Sequence, residues 1–342
     1  MSVVIDREGK GSVWRQVGLV GLLLVALASS LLLGRYPIAP RDVVATLARA
    51  FALPVHDVSP QVETVVLFIR LPRVLIAGLV GMSLSLAGAA FQGLFRNPIV
   101  SPDLLGASAG AGFGACLGIL LSLGEVAVQL LAFGCGGIAV LLAYAVSVAC
   151  GRGTLPLLLA GIAVSALFSA FIALTKLAAD PANKLPAITF WLMGALGNVS
   201  LRDVPALAIA SVIGALPLFL LRWRLNVVAL GEEQALALGV DRRVLQPIVV
   251  ASATLLTAAS VAVCGMVGWV GLLVPNIARG LVGPRFDRLL PASALLGASF
   301  VLTVDCVSRS LLATELPIGV TLALLGAPFL LVMLGRSARG RR

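Results

Sequence analysis

The side chains here that could carry metal or covalent chemistry are few and poorly spaced for it. There is one histidine, His56, in a stretch that reads as a solvated polar loop. The five cysteines, Cys116, Cys135, Cys150, Cys264 and Cys306, are scattered along apolar runs. They fit neither metal-ligand spacing nor a disulfide framework. No nucleophile elbow, paired-carboxylate pattern or HExxH occurs, and Gly9-Lys10-Gly11 lacks the upstream glycine of a P-loop. No metal, cofactor or catalytic group is therefore expected on this chain, and an enzyme reading has no chemistry to use. What remains is charge at the ends of apolar segments. Arg70 and Arg73 sit in IRLPR; Asp305, Arg309 and Glu315 sit in and around VDCVSRSLLATEL. Asp305 and Arg309 are spaced i,i+4, so a local ion pair accounts for them. Nothing comparable accounts for Arg70 and Arg73.

Three further patterns carry information. The stretch GEEQALALGV (231–240) reads as a short helix. Glu232 and Glu233 complement the dipole in its first turn, and Ala235, Leu236 and Leu238 give a weakly apolar face. Gly231 precedes it and Gly239 ends it. A helix this short cannot stabilise itself in water, so an external partner is expected. LFRNPIVSPDLLG (94–106) interrupts two apolar runs with Pro98 and Pro102, which rule out a continuous helix. It is either a plain turn at the membrane surface or a loop folded back to narrow a pore. Gly106, Gly110, Gly114 and Gly118 recur every four residues. On a helix they form one bare stripe, for close packing or as a flat wall along a pathway.

The elements that must position these residues follow from composition. The chain has 342 residues, 60% hydrophobic and only 12% charged, with mean hydropathy +1.08. Soluble domains carry roughly a quarter charged residues. This is an all-α, polytopic helical membrane protein, read as a single domain over 1–342. Apolar runs long enough to span occupy 13–33, 73–94, 104–123, 126–149, 155–178, 204–221, 244–266, 289–312 and 316–334. GWVGLLVPNIARG (268–280) is too short and too broken for a full span and reads as a half-helix. Counting it gives about ten crossings, at about 20 apolar residues per full span. The first run is too long for a signal-peptide core and is kept as a span. Most of the 25 lysines and arginines fall on the side of the termini, which places both termini inside. The net charge of +10 is then topology and headgroup contact. Nucleic-acid binding is not indicated, because no basic patch interleaves with stacking aromatics.

In this order, GAAFQGLFRNPIVSPDLLGASAGAGFGA (88–115), GEEQALALGV (231–240), GWVGLLVPNIARGLVG (268–283) and ELPIGVTLALLGAPFLLVML (315–334) resemble the permease family of bacterial type II ABC importers. These importers take up ferric siderophores, haem or cobalamin. The resemblance implies ten transmembrane helices per subunit and a homodimer in the inner membrane with cytoplasmic termini. It implies two ATPase subunits, which hold the ATP and Mg, docked on the helix at 231–240, and a periplasmic binding protein that delivers substrate. It also implies an inner gate drawn from Asn97, Ile99, Gly153 and Thr154, a pathway lined by the fifth span with residues 184–197, and binding-protein docking at Arg70, Arg73 and Arg309. An iron chelate is the expected cargo, with haem and cobalamin as alternatives. One departure is visible: members often have Pro-His where this chain has Pro275-Asn276, which removes a titratable group from the half-helix. An ion-driven transporter would bury ionisable residues mid-span, and these spans carry almost none. A scaffold protein would leave GEEQALALGV without a purpose.

Overall fold

A proline in the second apolar run sets the geometry of the molecule's centre. The structure is a computed structural model and describes residues 2–50, 52–54, 57–151, 153–311 and 314–339. His56 lies outside the described residues. After α1 (Ser2–Leu32) and the surface helix α2 (Pro40–Ala50), the chain enters α3 (Pro60–Thr64) and continues without a break into α4 (Leu71–Phe95). Between them, Val65–Arg70 widens into a π turn, in which the Leu71 N–H reaches back to the Val66 carbonyl. Pro72 has no N–H and its ring clashes with the carbonyl four residues back, so the ladder widens just before it.

Helix α4 becomes the core because small residues let its neighbours approach backbone to backbone. Of its apolar stretch 78% is buried, against 17% for α1 at the periphery. A Cβ on Gly81 would strike the Gly297 carbonyl, and one on Gly88 would strike that of Gly271. Lipid provides no hydrophobic drive between helices, so such close contacts are the main source of association.

The remaining elements are α5 (Ala107–Leu120), α6 (Glu125–Ala149), α7 (Thr154–Ala178), α8 (Lys184–Leu192), α9 (Asp203–Leu220), α10 (Arg222–Leu230), α11 (Glu232–Ala237), α12 (Arg242–Cys264), α13 (Val270–Val282), α14 (Phe286–Ser310) and α15 (Ile318–Arg339). Among the described residues there is no strand. Among the described residues seven helices are long and apolar enough to cross a membrane, and three shorter apolar ones lie in α5, α13 and α15. Helices α4, α9, α12, α13 and α14 pack as one group, and α5, α6 and α7 as another joined to it through α12. The expected half-helix is α13. It starts level with Leu84 and Gly88 in the middle of α4 and runs toward the end where Phe286 fills the space beside Gly93. That end carries α11 and is called the α11 end below.

Two spans differ from the sequence reading. The run expected over 104–123 is a helix only over Ala107–Leu120, because Pro102–Leu105 forms a 3-10 turn before it. Residues 222–230 form an additional helix, α10, that periodicity did not reveal. At the opposite end, the turn after α7 is closed by Asp180, which accepts from the N–H groups of Ala182 and Asn183. Those donors hold its carboxyl below the usual range. Lys184 Nζ then donates to the Leu120 carbonyl at 2.6 Å, capping α5.

Candidate functional site

The loop at 96–106 folds inward. Helix α4 ends with Arg96 in the left-handed region (φ 52°), and the Asn97 N–H returns to the Gln92 carbonyl at 3.1 Å, a common way to close a helix. The Asn97 side chain then accepts from the Ile99 N–H at 3.0 Å, which turns the chain back. The ring of Pro102 packs against Gly271 and Leu105 against Gly161, so the loop reaches the middle of the bundle. A plain surface turn would not. Gly106 closes the excursion at φ +86°, where a side chain would be strained.

What holds this loop is a polar network the sequence did not reveal. Asn276 Nδ2, on α13, donates to the carbonyls of Pro98 and Leu272, both at 2.8 Å. Its Oδ1 accepts from Arg279 at 2.8 Å, and Arg279 donates again to Gln92 Oε1 of α4 at 2.9 Å. Gln92 Nε2 completes the network on the Leu272 carbonyl at 3.2 Å. Asn276 thus uses two donors and an acceptor at once. A neutral imidazole has one of each, so Asn is the better fit to this arrangement. Without the Asn276 amide, the Pro98 carbonyl loses its partner, Arg279 keeps only Gln92, and the loop loses its tie to α13. In an Asn276→Ala variant, a cysteine introduced at Ile99 should react with a maleimide several-fold faster than in the parent, at about 1 kcal/mol for the lost bonds. An unchanged rate would show that the tie does not hold the loop.

The other expected gate residues lie elsewhere. Gly153 and Thr154 line a cavity of about 470 Å³ with Glu232, Arg242 and Arg243; Asn97 and Ile99 do not border it. Within one chain the two pairs are not brought together.

The short helix is confined to Glu232–Ala237, entered through Gly231 (φ +135°) and left through Gly239 (φ +75°). Its expected apolar face divides. Ala235 is buried in the main core, whereas Leu236 and Leu238 are 59% and 53% exposed. Ala235 anchors the helix, and the two leucines face outward beside Glu232 and Glu233.

The glycine stripe also divides. Gly110, Gly114 and Gly118 lie against Cys135, Leu131 and Val128 of α6, whereas Gly106 faces Val164 and Ser165 of α7. The stripe is a packing surface.

At the opposite end, Arg70, Arg73 and Arg309 are turned inward, at 3%, 6% and 5% exposure. Within this chain the three side chains that the resemblance assigned to binding-protein docking are held by internal partners. Arg70 donates to the carbonyls of Leu31 (2.7 Å), Leu32 (2.9 Å) and Tyr36. Arg73 forms a bidentate pair with the fully buried Asp305 at 2.9 Å and a second pair with Glu315 at 3.0 Å. Arg309 lies 3.7 Å from Asp305 and donates to the Ser30 carbonyl and to Ser30 Oγ. The i,i+4 pair exists, but Arg73 is the closer partner of Asp305. Three guanidiniums face two carboxylates, and the surplus charge meets the C-terminal carbonyls of α1, where the helix dipole favours a cation. Beside this cluster, a cavity of about 600 Å³ is lined by Arg73, Gln129, Trp191, Gly197, Asp203 and Glu315. It includes part of the expected pathway segment.

Comparison with known proteins agrees with this architecture. The chain is 37% identical over 326 residues to the molybdate import system permease protein MolB of Haemophilus influenzae, covering 94% of this chain and 96% of that one. It is 39% identical over 277 residues to a probable iron chelatin transport system permease protein of Helicobacter pylori, covering 81% and 84%. A solved metal-chelate type ABC transporter in an inward-facing conformation superposes with a TM-score of 0.83 at 35% identity, covering 94% and 98%. With the FecCD transport family model matching residues 22–336 as well, the chain belongs to that family and is a permease of the ABC importer type.

Proposed function

We propose that two copies of this chain form the membrane pathway of an ABC importer for an iron chelate, with the α11 end and both termini in the cytoplasm. The observation that carries the reading is α11. It is anchored by Ala235 and presents Leu236 and Leu238 to solvent beside two glutamates. A helix this short, with apolar side chains directed away from its own bundle, fits the groove of a soluble partner. That partner is a pair of ATPase subunits, which hold ATP and Mg. In this reading the re-entrant loops of the two copies, with Asn97 and Ile99, face each other across the dimer axis as the inner gate, and Gly153 and Thr154 flank them. A periplasmic binding protein delivers cargo at the opposite end.

Iron chelate is the cargo supported by the iron chelatin permease and by the metal-chelate type structure. A second reading, molybdate, is favoured by the relative named for it, which matches over nearly the full length. Proteoliposomes containing the permease, its ATPase and its binding protein separate the two. ATP-dependent accumulation of a ferric hydroxamate or catecholate is expected. Accumulation of molybdate, haem or cobalamin in its place overturns the iron reading, and uptake that ignores ATP overturns the importer reading.

A further inference from the structure

Two cavities on the flank formed by α6 and α12 join end to end. The first is an apolar groove of about 390 Å³ along α12 from Pro247 to Ala258, walled on α6 by Phe133, Leu141 and Tyr144. The second, of about 470 Å³, lies at the α11 end among Ser147, Arg242, Arg243 and Gln246. Tyr144 lines both. At 1.5 Å rise per residue, Pro247 to Ala258 spans about 17 Å. That is close to half of a hydrocarbon core about 30 Å thick. The flank is therefore apolar over the depth of one leaflet and basic at its headgroup level.

At the basic end, among the described residues, neither Arg242 nor Arg243 forms an ion pair within 4 Å, and Glu232 is the acid nearest in the cavity wall. Arg242 makes one hydrogen bond, to the Leu94 carbonyl at 3.3 Å, and its Nε is buried with no acceptor. The adjacent Asp241 carboxylate caps the Arg243 backbone N–H at 2.7 Å. Arg96 lies close by, near Gly231, and adds positive charge. Glu232 is the single acid on the cavity wall, and it is exposed. A buried guanidinium N–H without an acceptor is costly, and a charged acceptor offsets that cost best. The occupant that satisfies both halves has several acceptor oxygens on an anionic head and an apolar tail one leaflet long.

We propose that this flank binds an anionic phospholipid from the leaflet at the α11 end. Arg242 and Arg243 hold the phosphate, and one acyl chain lies in the groove between α6 and α12. Basic pockets between transmembrane helices are general sites for such headgroups. The headgroup shares its wall with Glu232 of α11 and with Gly153 and Thr154, so the lipid adjoins the elements that the proposed function places at the ATPase contact and the gate.

The test uses the full-length permease, purified with its ATPase and equilibrated with dioleoylphosphatidylglycerol or dioleoylphosphatidylcholine before native mass spectrometry. Phosphatidylglycerol should remain bound at one molecule per chain under activation that strips phosphatidylcholine. The double variant R242Q/R243Q should weaken that retention roughly thirty-fold, the loss expected for two charges at headgroup level. Ala251→Trp, at an exposed groove position, should also displace the lipid while leaving both arginines in place, so the outcome does not depend on the charge variant folding. Inorganic phosphate at millimolar concentration should not compete. Equal retention of the two lipids, displacement by inorganic phosphate, or disulfide cross-linking of Ala251→Cys to a second copy would each overturn the assignment.

Discussion

Arg73→Glu should abolish accumulation of folded permease. The substitution would set a third carboxylate against Asp305, which is fully buried, and against Glu315. Removing one partner of a buried ion pair costs about 3–5 kcal/mol, and reversing the charge costs more. Membrane extracts should therefore yield little monodisperse protein by size exclusion. Arg73→Lys keeps the charge but loses the bidentate fork, so an intermediate yield is expected. The double change Arg73→Met with Asp305→Leu removes this pair together and should recover part of the loss, because matched apolar replacement of a buried pair is often close to neutral, while Arg309 keeps its bonds to Ser30 but loses its carboxylate neighbour. Salt should have little influence on the parent's stability, since buried pairs are poorly screened. A normal yield of Arg73→Glu with failed capture of the binding protein would show that the arginine serves an external acid.

Leu236→Asp with Leu238→Asp should eliminate ATPase association and transport while the permease still assembles. Both leucines are more than half exposed, so the bundle loses little internal packing. Central apolar contacts of an interface are worth about 2 kcal/mol or more each, so affinity should fall on the order of a thousandfold. Co-purification of the ATPase and ATP-driven uptake are the readouts, with size exclusion confirming the fold. Retained transport would remove α11 from the coupling role. A proline at Ala235 is a less selective probe. The Ala235 N–H donates to the Gly231 carbonyl at 2.9 Å and the Ala235 side chain lies in the core, so the permease itself would be damaged.

The sequence determined the class of molecule and most of its punctuation. In a bilayer every backbone polar group must be satisfied within the segment, so length and apolarity of a run decide whether it spans. Among the described residues seven of the nine expected runs are helices long enough to span, and the other two and the half-helix of 268–280 are shorter apolar helices. The helix at 231–240 was legible for a similar reason, because its glutamates and its flanking glycines act within a single turn. The motifs in order carried the family.

Only the tertiary structure decided which polar groups meet. Arg73 and Asp305 are 232 residues apart, and Asn276 and Pro98 are 178 apart. Their pairing depends on how closely α4 approaches α13 and α14, which the glycine contacts at Gly81–Gly297 and Gly88–Gly271 set. Charge placement read along the chain gave Arg70 and Arg73 no partner and Arg309 only Asp305. A change of helix pitch before Pro72 and the carbonyl end of α1, neither visible as a pattern, brought them inside. The same holds for Ala235, Leu236 and Leu238, which form one apolar cluster in sequence. Packing buries the first and exposes the other two, because burial is fixed by what lies opposite a helix and not by the helix's own residues.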